Sequence, residues 1–175
     1  MNIVDIFSSL RYKLPHNEFS DYQIVDSINY VVREISLALN SVTSSLITAS
    51  VTLPLVDGTV ALPADFESLI EVKDKTNVPI QADLDAYTYK VLGNAIYAQG
   101  ETITLSYRKS FPQFAFDGET FTPTTLDLPV SFMNIVRDNV LSLLTGSEPN
   151  IQKQVLQLAS IRDGKKRPQR LAFYS

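Results

Sequence analysis

Residues 47–60, Ile47-Thr48-Ala49-Ser50-Val51-Thr52-Leu53-Pro54-Leu55-Val56-Asp57-Gly58-Thr59-Val60, are the stretch on which the fold turns. Ile47, Ala49, Val51 and Leu53 alternate with Thr48, Ser50 and Thr52, the period-two signature of a half-buried strand. Asp57-Gly58 then separates Leu55-Val56 from Thr59-Val60. That dipeptide suits the type I′ turn whose twist matches paired strands, so a hairpin is expected here. Upstream the period is helical. Ile24, Ile28, Val31, Ile35 and Ala38, widened by Val25, Val32 and Leu39, stripe one face after a capping Ser20 or Asp21. Asp26, Asn29, Arg33 and Ser36 occupy the opposite face. A first helix over Ile3, Ile6, Phe7 and Leu10 ends at Pro15.

Downstream, Leu62-Pro63-Ala64-Asp65 closes the hairpin and short strands follow at residues 69–72, 87–91, 95–97 and 102–107. Turns are expected at residues 74–77 and at Gly93-Asn94. Five or six short strands joined by brief turns indicate a small antiparallel sheet or sandwich. Residues 111–125 carry Phe111, Phe114, Phe116 and Phe121 among Pro112, Gly118 and Pro123, and read as a long loop or arm. Helical spacing returns at Pro129, with Asp127 as cap and Met133, Val136, Val140 and Leu143/Leu144 as the apolar stripe. Gly146 stops that helix, and Glu148-Pro149 opens another with Ile151, Val155 and Leu158 on one side. The expected class is α+β. A helical bundle comes from both chain ends, residues 1–45 and 126–161. A β-rich block over 46–125, including the aromatic loop 110–125, is inserted between them, and an extended tail spans 162–175.

A chain of 175 residues fits one ordinary domain or two small subdomains. Its 45% hydrophobic and 19% charged content is that of a globular protein rather than a disordered one. No apolar run approaches the roughly 18 residues of a membrane helix. Met1-Asn2-Ile3-Val4-Asp5 lacks the basic start and apolar core of a secretory signal, so assembly in a cytoplasm is expected. With no cysteine, disulfides, thiolate metal sites and cysteine nucleophiles are excluded.

The single histidine, His16, leaves no triad and no multi-histidine metal site within one chain. Phosphate-binding loops of the GxxxxGK[ST] or GxGxxG type are absent. The carboxylate pairs Asp83/Asp85 and Glu71/Asp74 lie at strand ends and turns of an acidic chain, where solvated surface is the simpler reading. A non-enzymatic protein without a cofactor or metal is the expectation.

Charge is distributed unevenly. Arg162, Lys165, Lys166, Arg167 and Arg170 against Asp163 leave residues 162–175 at +4, and so the other 161 residues at −8 in a chain of net charge −4. The tail ends Leu171-Ala172-Phe173-Tyr174. Cations followed by aromatics suit insertion into a partner's groove, with nucleic acid as a rival partner and a frayed terminus as the plain alternative. The four phenylalanines of residues 111–121 are either plugs for this chain's core or anchors for a neighbour.

Val60-Ala61-Leu62-Pro63-Ala64-Asp65-Phe66 followed by Leu69-Ile70-Glu71-Val72 resembles the turn and strand of tailed-bacteriophage head-tail adaptor (connector) proteins. Tyr89-Lys90-Val91-Leu92-Gly93-Asn94-Ala95-Ile96-Tyr97 and Ile103-Thr104-Leu105-Ser106-Tyr107-Arg108-Lys109 are similar to later strands of that family. The resemblance extends in outline over most of the chain, through degenerate motifs. It implies a structural virion protein of the neck, assembled in the bacterial host cytoplasm. Its subunits would form a homo-oligomeric ring, usually dodecameric, below the portal protein and joined to tail or nozzle proteins. On that reading residues 162–174 are the portal-docking arm, and DNA passes an acidic channel without specific binding. Another neck or tail-completion protein, or a nucleic-acid-binding module using the basic tail, are the alternatives.

Overall fold

In a computed structural model of the chain, residues 1–15, 18–42, 44–80, 82 and 89–162 are described. The fold is α+β, with helices near both ends of this stretch and an inserted multi-stranded antiparallel sheet that does not close into a barrel. Two compact units share the chain. One comprises Ile47–Ser110, the other the segments before and after it.

The helical unit begins with α1 (Ile3–Lys13) and α2 (Asp21–Ser41). Ser20 caps α2 as expected: its hydroxyl accepts from the Gln23 N–H while the Gln23 side chain accepts from the Ser20 N–H, a reciprocal capping box. Arg11 ties the two helices, donating to the Phe19 carbonyl at 2.6 Å and pairing with Asp21 at 2.6 Å. All eight apolar residues of the α2 stripe are buried. They pack against two later helices, α3 (Met133–Leu144) and α4 (Ile151–Arg162).

Helix α3 starts differently from the expectation. Asp127 is not its cap. A 3₁₀ turn at Val130–Phe132 leads into Met133, and Phe132 holds the N-cap position without a side-chain bond. The reason lies in the preceding segment, where Leu126 and Leu128 are buried and the chain is paired with its own start. The Leu126 N–H donates to the Met1 carbonyl at 2.9 Å, and the Ile3 N–H donates to the Thr124 carbonyl at 3.0 Å. Gly146, at φ 74°, ends the helix in the left-handed conformation.

A buried polar residue joins α3 to α4. The Asn139 amide donates to the Ile135 carbonyl and to the Gln154 side-chain oxygen, both at 2.7 Å, and its own oxygen accepts from the Asn150 N–H at 2.8 Å. It is 2% exposed, so these partners replace water entirely.

The strand unit contains β1 (Thr48–Pro54), β2 (Thr59–Ala61), β3 (Phe66–Lys73), β4 (Pro79–Ile80), β5 (Lys90–Leu92), β6 (Ala95–Tyr97) and β7 (Thr102–Lys109). One antiparallel sheet runs β1-β7-β3-β4 and a second runs β2-β6-β5. The expected turn at Asp57-Gly58 is present, with φ of 51° and 74° and reciprocal bonds between Val56 and Thr59, each 2.9 Å. The hairpin around it is a single rung, because β1 pairs with β7 and β2 with β6. Register explains the choice. Ala49, Val51 and Leu53 face Tyr107, Leu105 and Ile103, so one apolar row meets another. Ile103, Leu105 and Tyr107 join Leu62, Val72, Ile96 and Ala98 in one core.

Asn139→Ala removes the amide while leaving the Asn150 N–H and the Gln154 side chain without their partner. Urea unfolding followed by circular dichroism is expected to show a loss of about 2 kcal/mol.

Candidate functional site

The residues singled out by sequence fall into three groups. In the C-terminal set, Arg162 is the last residue of α4, and Lys165, Lys166, Arg167, Arg170, Leu171, Phe173 and Tyr174 lie outside the described residues, as do His16, Asp83 and Asp85.

The aromatic set belongs to the helical unit. Residues 111–125 are not loop throughout: β8 (Ala115–Phe116) and β9 (Phe121–Thr122) form a two-residue antiparallel ladder. Phe114 and Phe121 are buried, at 3% and 6% exposure, while Phe111 and Phe116 are half-buried. The Phe7, Phe116 and Phe121 rings cluster with centroids 4.7–5.4 Å apart, and Tyr22 stands edge-on to Phe116 at 6.2 Å. Asn29 fastens this segment to α2. Its amide donates to the Phe114 carbonyl at 2.9 Å and its oxygen accepts from the Phe114 N–H at 2.8 Å. A side-chain amide here does what a neighbouring strand would do. Read by helical periodicity, Asn29 was simply part of the polar face.

Asp117 shapes the β8–β9 turn. Its carboxylate accepts from the Glu119 and Thr120 N–H groups at 2.9 and 2.7 Å and from the Thr120 hydroxyl at 2.8 Å. These bonds, the Thr120 N–H foremost, lower its pKa to about 2. Asp74 organises the β3–β4 turn in the same way, through Thr76 and Val78, and is likewise lowered. Its expected companion Glu71 pairs instead with Lys73 at 3.0 Å. Among the described residues no group of three or more His, Cys, Asp or Glu side chains could hold a metal ion. No helix among them is long and apolar enough to cross a membrane.

The motif residues converge in the strand unit. After Leu62-Pro63-Ala64, Asp65 accepts a hydrogen bond from the Tyr107 hydroxyl at 2.9 Å, and the Asp65 carbonyl accepts from the Ser110 N–H at 2.8 Å. The Phe66 ring lies 5.7 Å from that of Tyr107, centroid to centroid, and the Phe66 N–H closes the turn on the Pro63 carbonyl at 3.0 Å. Burial, reinforced by the neighbouring carboxylate, pushes the Tyr107 phenol up to about 12. The strand-turn signature at residues 62–66 and the Leu-x-Tyr signature at 105–107 are thus two halves of one joint. Nothing in either half names the other.

Comparison with known proteins adds no relative: no family model matches the chain and no curated protein matches it.

Two outcomes follow from this geometry. Tyr107→Phe is expected to cost about 1.5–3 kcal/mol in urea unfolding, the range for a hydrogen bond to a charged group. Because the folded phenol titrates above the unfolded value near 10, that contribution is full below about pH 10 and is lost as pH rises through about 12. For Asp117 the sign is opposite. Its contribution is present above the unfolded value of 3.8 and is lost as pH falls through about 2. A carboxyl-carbon NMR titration should find it among the last side chains to protonate.

Proposed function

We propose that this chain is a structural, non-enzymatic subunit of a tailed-phage neck: a head-to-tail adaptor forming a ring below the portal. The observation that carries the reading is the Asp65–Tyr107–Ser110 joint. The motif segments that suggested the family from sequence, residues 60–66 and 103–109, meet there as one structural feature rather than as scattered matches. An α+β chain with helices near both ends and an inserted strand block is also the organisation that the resemblance implies.

On this reading the helices form a bundle that builds the ring wall, and the strand unit meets tail or nozzle components. Residues 162–174 extend to grip the portal, with Arg162, Lys165, Lys166, Arg167 and Arg170 supplying charge-assisted bonds and Leu171, Phe173 and Tyr174 the buried area. Phe111 and Phe116, each with surface to offer, are the members of the aromatic set available to a neighbour. The balance of −8 over residues 1–161 suits a channel wall past which DNA slides, since like charges do not adhere.

The test is truncation. A chain ending at Ile161 should keep its helical circular dichroism and its solubility yet fail to co-sediment with portal rings that retain the full chain. Equal retention of both chains would overturn the arm. Portal-independent, salt-sensitive retention of the full chain on DNA would favour the nucleic-acid module instead.

A further inference from the structure

Helix α2 is buried along one side, and its other side follows a second pattern. Tyr22, Asp26, Tyr30, Arg33 and Leu37 are all exposed and recur at spacings of three and four, so they form one outer stripe about four turns long. Tyr22, Tyr30 and Leu37 are 60%, 48% and 51% exposed. Tyrosine and arginine are enriched where proteins meet one another, and three of the five stripe residues are of these types, with Asp26 the one member of a depleted type. Asp26 and Arg33 have no ion-pair partner among the described residues.

The order of the stripe is decisive. It runs Tyr22, Asp26, Tyr30, Arg33, Leu37: a large side chain with apolar area at each end, a tyrosine near the middle, and an acid and a base equally far from the midpoint on opposite sides of it. An antiparallel copy therefore complements it. Asp26 meets Arg33 of the second copy, Arg33 meets its Asp26, Tyr22 meets its Leu37, and the two Tyr30 rings adjoin the axis. A parallel copy would set Asp26 against Asp26 and Arg33 against Arg33. Helix dipoles favour the antiparallel choice as well. We propose that the outer stripe of α2 binds a second copy of this chain in antiparallel, two-fold register.

Such an interface is isologous and closes at two. It is therefore distinct from the cyclic contact of a ring, and the proposal does not rest on the neck reading. A single helix pair of this length lies at the small end of specific interfaces, so association in roughly the micromolar to tens-of-micromolar range is expected.

Sedimentation equilibrium of the full chain up to about 100 μM tests it. The wild type should reach a dimer. Asp26→Arg and Arg33→Asp should each weaken pairing roughly tenfold or more, because each sets two like-charge contacts across the axis. An equimolar mixture of the two variants should associate again, as should the double variant, since both restore opposite charges. Both side chains are exposed, so unchanged circular dichroism should accompany every variant. A wild type that stays monomeric at about 100 μM overturns the proposal. So does a dimer indifferent to the reversals, or a mixture that remains monomeric.

Discussion

Helix α2 carries eight apolar side chains along one flank, all buried, and the one helix before it in the chain is too short in apolar residues to cover them. Helix α1 contributes only Ile3, Ile6 and Leu10 to the interior, and Leu14 follows it. Leaving the stripe in water would cost about 1.5–3 kcal/mol for each large side chain. The chain meets that constraint with residues more than ninety positions later. Val136, Val140, Ile151, Val155 and Ala159 are buried on α3 and α4, both of which pack on α2. Helices from both sides of the strand block must therefore belong to one unit, whatever the strand block does.

That dependence also decides which features could be read from the sequence. The α2 stripe was legible residue by residue, because a 3.6-residue period with a capping Ser20 is a local property. The turn at Asp57-Gly58 was legible for the same reason, its two positive φ values being a property of that dipeptide. What the dipeptide could not convey was the partner of each strand. A turn states only that the chain reverses, whereas β1 joins β7 because Val51 and Leu53 find Leu105 and Ile103, some fifty residues away. The start of α3 failed similarly. Asp127 looks like a cap until Leu126 and Leu128 are drawn inward on either side of it.

The least legible residues were polar ones serving as backbone surrogates. Asn29, Asn139, Asp74 and Asp117 all use a short side chain to satisfy main-chain groups that no neighbouring strand or helix reaches. Hydropathy assigns each of them to surface or turn, correctly for the two aspartates and misleadingly for the two asparagines. Asn139 sits in the α3 stripe among Ile135, Val136 and Val140, so its apparent break in the pattern marks the point where α3 holds the start of α4. The same limit applies to the candidate site. Asp65 and Tyr107 stood in separate motifs, and only tertiary structure brings the carboxylate to the phenol.

The aromatic residues show where the chain draws the line between interior and contact surface. No described phenylalanine is exposed: Phe114, Phe121 and Phe132 are buried, and Phe7, Phe19, Phe66, Phe111 and Phe116 are half-buried. Tyrosine does the reverse. Among the described residues Tyr12, Tyr22, Tyr30 and Tyr97 are exposed, Tyr89 is half-buried, and the one buried tyrosine, Tyr107, has its hydroxyl bound by Asp65. The two rings bury similar area and differ mainly by a hydroxyl, which is costly inside without a partner and at ease in water. A ring that must be solvated in the free chain yet remain able to bury area in a complex is therefore better built as tyrosine. The phenylalanine-rich segment, conspicuous in the sequence, has already spent Phe114 and Phe121 on this chain's own core. The less conspicuous tyrosines keep their area to give, and two of them lie on the outer stripe of α2, the helix whose inner stripe organises the helical unit.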